Sequence, residues 1–153
     1  MDIQSNLVQQ FTVSYDRVKR CVADVSDEDA RRVLAGTLSP IVWQFGHVTL
    51  IDSNFVRRAG GTFEVPARFV DLFKIGSGGE ADYPPLGDVA AAFDGVQQEL
   101  LRAVREANYD TAIDTPNYKN VGQMLIYAGT HRAYHTGKMT TLRALLGKPR
   151  LFG

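Results

Sequence analysis

The residues of this chain best suited to chemistry are its three histidines, His47, His131 and His135. Because His131 and His135 are four positions apart, a helix would project them from one face, one turn from each other, where both imidazoles can bind the same ion. For any single histidine, an ordinary buried side chain with a hydrogen-bond partner is the better interpretation. Whether the three bind a metal together therefore depends on where their side chains point.

All three histidines lie on faces that are predicted to point inward. The last helix carries an apolar stripe in steps of three and four residues, formed by positions 124, 128, 131, 135, 139, 142 and 146. Two of the histidines belong to that stripe, and His47 shares an apolar face with Trp43, Leu50 and Ile51. Three neutral imidazoles in an apolar interior would each need a polar partner, whereas one divalent ion satisfies all three. The sequence therefore predicts a three-histidine site for one divalent metal ion.

Two better-known metal sites are excluded by the neighbouring residues. A zincin protease needs Glu directly after the first histidine of the pair, and this chain has Arg132 there. A ferritin-like di-iron site needs Glu three positions before a histidine, but those positions hold Ala128, Arg132 and Gln44. Neither a zincin nor a di-iron chemistry is predicted.

Three histidine ligands leave a divalent ion with an open coordination position, which is typical of catalytic rather than structural metals. Such an ion lowers the pKa of a bound water or thiol, so hydrolysis and thiol transfer both fit the site. The sequence identifies no general base. Asp52 is rotated off the face of His47, and Tyr127 and Tyr134 reach the site only in favourable rotamers.

The secondary-structure elements that position these residues can be predicted from the spacing of apolar residues along the chain. Apolar residues recur at helical spacing in four long segments, and none shows sustained two-residue alternation, which predicts an all-α fold. The first helix is predicted from about residue 6 to 24 with Ser5 as its cap, and Ser26 is predicted to cap a short turn after it. The second is predicted to open at Ser39-Pro40 and to end at about Arg58.

The third and fourth helices are each predicted from one apolar face. The face of the third is formed by Val89, Phe93, Val96, Leu100 and Val104. The fourth is predicted to open at Asn120, with Gln123 at the spacing of a capping box, and to close at Gly147 and Pro149. Four such helices predict a four-helix bundle.

Residues 61–87 interrupt the helical pattern with glycine and three prolines. They nevertheless keep several apolar side chains, which are Phe63, Phe69, Val70, Phe73 and Tyr83. We therefore predict a packed crossover between the second and third helices, covering one end of the bundle and including a flexible bend at the GSGG of 76–79.

Composition narrows the classes of function. A chain of 153 residues with 44% hydrophobic residues fits one domain spanning residues 1–153. Lys plus Arg and Asp plus Glu both number 17, so no one-signed field favours nucleic acid. Without an apolar run of roughly 18 residues or a signal-peptide pattern, we expect no membrane association and a cytoplasmic location.

The remaining reactive or charged residues are predicted to be structural. Cys21 lies on an apolar stripe without an adjacent base, which is typical of a core thiol. Arg143, Lys148 and Arg150 are predicted to form a solvated helix end that complements the helix dipole, and the alternative is that they line an entrance for an anionic substrate. Trp43 and the phenylalanines are predicted to be core residues.

Two segments, IVWQFGHVTLID and THRAYHTGKMTTLRALLGKP, resemble the signature stretches of the DinB/YfiT-like metal-binding family. The order of helices, the crossover and the closing Leu-Gly-x-Pro also fit that family over nearly the whole chain. The resemblance implies a four-helix bundle with up-up-down-down connectivity. It also implies one divalent ion, usually nickel or zinc, with His47, His131 and His135 as its ligands. The family commonly has Gln where this chain has Lys138, which places a cation near the site.

Characterised members of that family include transferases and isomerases that use low-molecular-weight thiols such as bacillithiol or mycothiol, and many members have no known activity. The family name refers to DNA-damage induction, not to DNA binding. Two hypotheses follow. One is a metal-dependent transferase or hydrolase acting on a small molecule, with the ion activating a thiol or water. The alternative is a non-catalytic bundle that the ion stabilises, acting as a structural or binding protein and dimerising through an exposed apolar face.

Overall fold

A computed structural model describes residues 2–34, 36 and 38–152 of the chain. These residues form six α-helices: α1 (Ile3–Val22), α2 (Asp27–Arg31), α3 (Ile41–Arg58), α4 (Ala67–Phe73), α5 (Leu86–Glu106) and α6 (Val121–Leu145). Within this described part no β-strand occurs, and the pairing of Ala112 with Asn120 is an isolated bridge. The all-α prediction is confirmed.

The four long helices α1, α3, α5 and α6 pack side by side. Helices α5 and α6 each contact both α1 and α3, so α1 and α3 lie at opposite corners of the arrangement. The predicted apolar face of α5 is completely buried, from Val89 to Val104. The up-up-down-down order of helix directions stays a prediction. None of the described helices combines the length and the apolar composition needed to cross a membrane.

The helix ends correct some of the predicted caps. Helix α1 begins at Ile3, because the carboxylate of Asp2 accepts a hydrogen bond from the Ser5 backbone N–H at 2.8 Å, so the prediction of Ser5 as cap is wrong. The negative charge of Asp2 also interacts favourably with the positive, amino-terminal end of the helix dipole. The helix therefore begins about one turn earlier than predicted. The cap position of α3 is Pro40, and Ser39 does not cap it. The predicted cap of α6 is confirmed, since Asn120 Oδ1 accepts from the Gln123 N–H at 2.9 Å.

The crossover is packed, as predicted, and it contains an additional helix, α4. Phe69, Phe73 and Tyr83 are buried, and the Phe73 ring stacks on that of Tyr83 with 5.8 Å between the ring centroids. Val70 is half-exposed instead, because it lies on the outer face of this short helix. The crossover thus closes over α3, with Phe73 as its inner anchor.

Gly46 of α3 makes this closure possible. A Cβ atom at position 46 would lie 2.3 Å from the Phe73 ring, well inside van der Waals contact. The absence of a side chain therefore lets the crossover approach the backbone of α3 next to His47.

We expect Gly46→Ala to lower the free energy of unfolding by about 1–3 kcal/mol, because Phe73 would have to move or α4 would have to lift. Gly137→Ala is the matched control, since Gly137 is also inside a long helix but a Cβ there has open space. It should be neutral or stabilise the protein by up to about 1 kcal/mol. Urea denaturation of both variants checks this, and equal stability of the two would contradict the proposed close approach.

Candidate metal centre

The contact between α3 and α6 brings the three predicted histidines together. One nitrogen from each of His47, His131 and His135 lies within 4.8 Å of the other two. The ring centroids are 4.5 Å apart for His131 and His135, and 4.9 and 5.3 Å from His47 to His135 and His131. Ligands bound at about 2 Å from one ion lie within about 4 Å of each other, so small side-chain adjustments suffice to hold a metal ion.

Hydrogen bonds on the far side of two rings fix their orientation and tautomer. His47 Nδ1 lies 2.7 Å from the carbonyl oxygen of Phe73, and His135 Nδ1 lies 2.6 Å from Oε1 of Gln44. Both oxygens can only accept, so each Nδ1 carries the proton and donates it. Each Nε2 then keeps a free lone pair, which is the arrangement found around metal-binding histidines.

Gln44 is itself held in the orientation that this arrangement needs. Its Nε2 donates to the Ser39 carbonyl oxygen at 3.1 Å, so its Oε1 is the atom left to face His135. In the sequence, Gln44 was informative only because it is not the Glu of a di-iron site. Its spacing three positions before His47, on the same face of α3, was the signal that it lies near the site.

His131 differs from the other two histidines because its buried Nδ1 has no hydrogen-bond partner among the described residues. The ring is surrounded by aromatic side chains, with Phe55 at 6.3 Å and Tyr127 at 6.4 Å between centroids. A buried polar nitrogen without a partner is costly in such surroundings. A coordinated ion would compensate that cost, so the donor set fits a metal.

The pKa values of all three imidazoles are lowered, so the rings are uncharged near neutral pH. Burial is the main cause that lowers the pKa of His131 to about 4 and that of His135 to about 3, and it also lowers the pKa of His47. Repulsion among the rings adds to this effect for His131 and His135, because a proton on one ring disfavours a proton on the next. All three are therefore neutral at pH 7, which is the form that ligates metals.

Trp43 packs directly against the imidazole of His47. Its ring stacks on the imidazole with 4.6 Å between centroids and an interplanar angle of 10°. The indole Nε1 donates to Ser77 Oγ at 3.0 Å, so the bend at 76–79 is anchored to α3. Trp43 is a buried residue, as predicted, and it also orients a site residue.

Two cavities open from the histidines. The aromatic chamber has a volume of about 490 Å³, and besides the three histidines it is lined by Trp43, Ile75, Tyr127, Thr130, Tyr134 and Lys138. The arginine chamber has a volume of about 620 Å³, and it shares His47, His131, Ile75 and Tyr127 and adds Ile51, Asn54, Phe55, Arg57, Arg58, Asn117 and Tyr118. The predicted cation near the site is present, since Lys138 lines the aromatic chamber together with the three histidines. Its Nζ lies 4.3 Å from the centroid of the Tyr134 ring.

A buried ion pair supports the centre from within the bundle. Arg132 Nε donates to Asp52 Oδ2 at 2.7 Å, and both side chains are completely buried. Arg132 also donates to Gln97 Oε1 at 2.9 Å and to the Phe11 carbonyl oxygen at 3.3 Å. Asp52 is therefore engaged away from the open side of the histidines, and no base role is assigned to it. This network could not be predicted from the sequence, because Asp52 and Arg132 are 80 residues apart along the chain.

The residues predicted to be structural have mixed outcomes. Cys21 is fully buried and its burial raises the thiol pKa to about 11, which confirms a core thiol. Arg143 is only 2% exposed and pairs with Asp24, so the prediction of a solvated end is wrong for this residue. The physical reason is that Arg143 faces the carboxyl-terminal end of α1 and the residues after it, where the Cys21 carbonyl oxygen and the Asp24 carboxylate accept its hydrogen bonds.

We expect Arg132→Met to lower the free energy of unfolding by about 3–5 kcal/mol, because it leaves the Asp52 charge buried without a partner. The double variant Arg132→Met with Asp52→Asn removes that charge as well and should be more stable than the single variant. Urea denaturation of the metal-free proteins measures both. A double variant as unstable as the single one would show that the charge of Asp52 is not what Arg132 compensates.

A search of curated proteins finds no match to this chain. Residues 10–139 match the family model DinB_2, which describes the DinB superfamily, and this range contains all three histidines. It covers both signature stretches up to Met139 and the crossover between them. The chain therefore belongs to the DinB superfamily.

Proposed function

We propose that this protein binds one Zn²⁺ or Ni²⁺ through His47, His131 and His135, and that it is a transferase or hydrolase acting on a small molecule. The observation that carries the proposal is the orientation of His47 and His135, whose Nδ1 atoms are bound to Phe73 and Gln44. Their Nε2 atoms are thereby left for an ion, and His131 completes the set. A divalent ion held by three imidazoles keeps its full charge and lowers the pKa of a water or thiol that binds to it.

The surroundings of the site support a substrate-binding role. A purely structural metal site is usually closed by four protein ligands, whereas this group of His, Cys, Asp and Glu side chains has three members among the described residues. Both chambers begin at the histidines and are large enough for a small organic molecule. Aromatic side chains of the aromatic chamber can hold an apolar electrophile beside the metal.

A second candidate is the non-catalytic, metal-stabilised bundle, and one surface feature favours it. Ile75 is 83% exposed and Tyr134 is 59% exposed, and both lie at the rim of the aromatic chamber. A second protein chain covering this rim would bury them and would close the site to solvent. The two candidates differ in whether an added thiol or water reaches the metal.

We expect purified protein reconstituted with Zn²⁺ or Ni²⁺ to retain about one ion per chain, because all donors come from one chain. Each single replacement of a histidine by alanine should cause loss of the metal, because the two remaining imidazoles bind it too weakly. The variants are His47→Ala, His131→Ala and His135→Ala. Cys21→Ala should retain it, because that thiol lies in the core. Metal analysis after dialysis measures this, and circular dichroism confirms that the variants are folded. Less than a tenth of an ion in folded wild-type protein would disprove the metal site.

The enzymatic part is tested with the Co(II)-substituted protein. A small thiol should enter the coordination sphere as thiolate and produce a sulfur-to-cobalt charge-transfer band that grows with thiol concentration. Lys138→Gln should weaken thiol binding without loss of metal, because Lys138 lies in the same chamber.

The holo protein should also accelerate the reaction of that thiol with a chlorinated aromatic or an epoxide relative to His135→Ala. A spectrum unchanged by thiols, with no acceleration of thiol transfer or of ester hydrolysis, would favour the non-catalytic candidate.

A further inference from the structure

We infer that the arginine chamber binds the anionic end of an elongated substrate whose reactive end lies at the three histidines. This inference rests on the proposed function and adds the class of substrate, a molecule with a carboxylate or similar anion about 10 Å from its reacting atom. It is carried by the positions of Arg57 and Arg58 relative to His47.

The lining of the arginine chamber is charged with one sign. Arg57 and Arg58 are its charged side chains, and no carboxylate is among the residues that line it. Asn54, Asn117 and Tyr118 add polar groups, while His47 and His131 form the end shared with the candidate metal centre. A cavity with guanidinium groups at one end and polar amides along its wall favours an anion over a neutral or cationic group.

The arginines are also free to bind an external anion. None of the ion pairs among the described residues includes Arg57 or Arg58. Arg57 donates to Asn54 Oδ1, a neutral acceptor that leaves its charge uncompensated. Both side chains are exposed, so an anion can reach them without removing an existing partner.

Helix geometry sets the length of the substrate. His47, Ile51, Asn54 and Arg58 follow one another in steps of four, three and four residues, so they form one row along α3. The eleven residues from His47 to Arg58 correspond to about 16 Å of helix rise. Both side chains lean toward the amino terminus, but the Arg58 side chain is the longer of the two, so its guanidinium reaches back toward His47. An anion bound in front of that guanidinium would then lie about 10 Å from His47. A short thiol such as mercaptoacetate therefore cannot bridge both ends.

Another explanation for the arginines is that they complement the carboxyl-terminal end of the α3 dipole. Arg105 offers the comparison, because it lies in the last turn of α5 and does not line the arginine chamber. The dipole accounts equally for Arg58 and Arg105, but it does not account for a chamber that joins Arg58 to two candidate metal ligands. Arg105→Gln is therefore the matched control for Arg58→Gln.

The test uses the Co(II) protein and four probes: 6-mercaptohexanoate, its uncharged match 6-mercaptohexanol, mercaptoacetate, and octanedioate, which has no thiol. Thiol affinity is measured from the charge-transfer band, and octanedioate binding by calorimetry. We expect 6-mercaptohexanoate to bind about tenfold more tightly than 6-mercaptohexanol, as one charge-assisted contact would give. Arg58→Gln, or the double variant with Arg57→Gln, should remove that preference, and Arg105→Gln should keep it. Mercaptoacetate should be insensitive to all three variants.

The outcomes separate this inference from the proposed function. If both six-carbon thiols give the band with equal affinity, thiol activation stands and the anionic subsite is disproved. If neither thiol gives the band, thiol activation fails, and octanedioate decides the inference by itself. Octanedioate binding that Arg58→Gln weakens and Arg105→Gln does not would support the subsite, while absent or Arg58-independent binding would overturn it.

Discussion

The guanidinium of Arg132 is the point at which all four long helices meet. From α6 it binds Asp52 on α3, Gln97 on α5 and the Phe11 carbonyl oxygen on α1, and it lies between the rings of Phe11 and Phe93. A buried charge is tolerated only where its partners are held in place, so this network fixes how α6 is rotated and how far it is inserted. His131 precedes Arg132 directly and His135 follows one turn later, so the same constraint positions both rings.

The second constraint is that the candidate centre must stay uncharged in the absence of a cation. A permanent positive charge on Arg132, one residue from His131, further lowers the pKa of that imidazole, and Lys138 does the same for His135. Protonated rings are thus disfavoured both by burial and by neighbouring cations. A divalent ion held by the three histidines would meet the same repulsion, which its bonds to the three nitrogen atoms would have to outweigh.

The crossover between α3 and α5 shapes the two chambers next to the histidines. Phe73 supplies the carbonyl oxygen for His47 because its ring rests on Gly46, and Ser77 holds Trp43 over the same imidazole. Ile75 lies between these two contacts and lines both chambers. One short segment thus orients a candidate ligand and shapes the access to it. Differences in this segment among related bundles would change the chambers without changing the three histidines.

The sequence alone determined the features that depend on neighbours along the chain. The periodicity of α5, the Asn120 cap and the common face of His131 and His135 are local, because helix geometry relates residues three or four positions apart. The inward direction of His47 also followed from its apolar face.

Only the tertiary structure decided the groups that support the histidines, because their partners are distant in sequence. The contacts of His47 with Phe73, of Asp52 with Arg132 and of Gln44 with His135 span 26, 80 and 91 residues. The packing of helices and loops likewise decides that Arg143 is buried against Asp24. It also decides that Arg58 lines the same chamber as His47 and His131. A periodic pattern shows which face of a helix is buried, but it does not show which polar group of another helix meets that face.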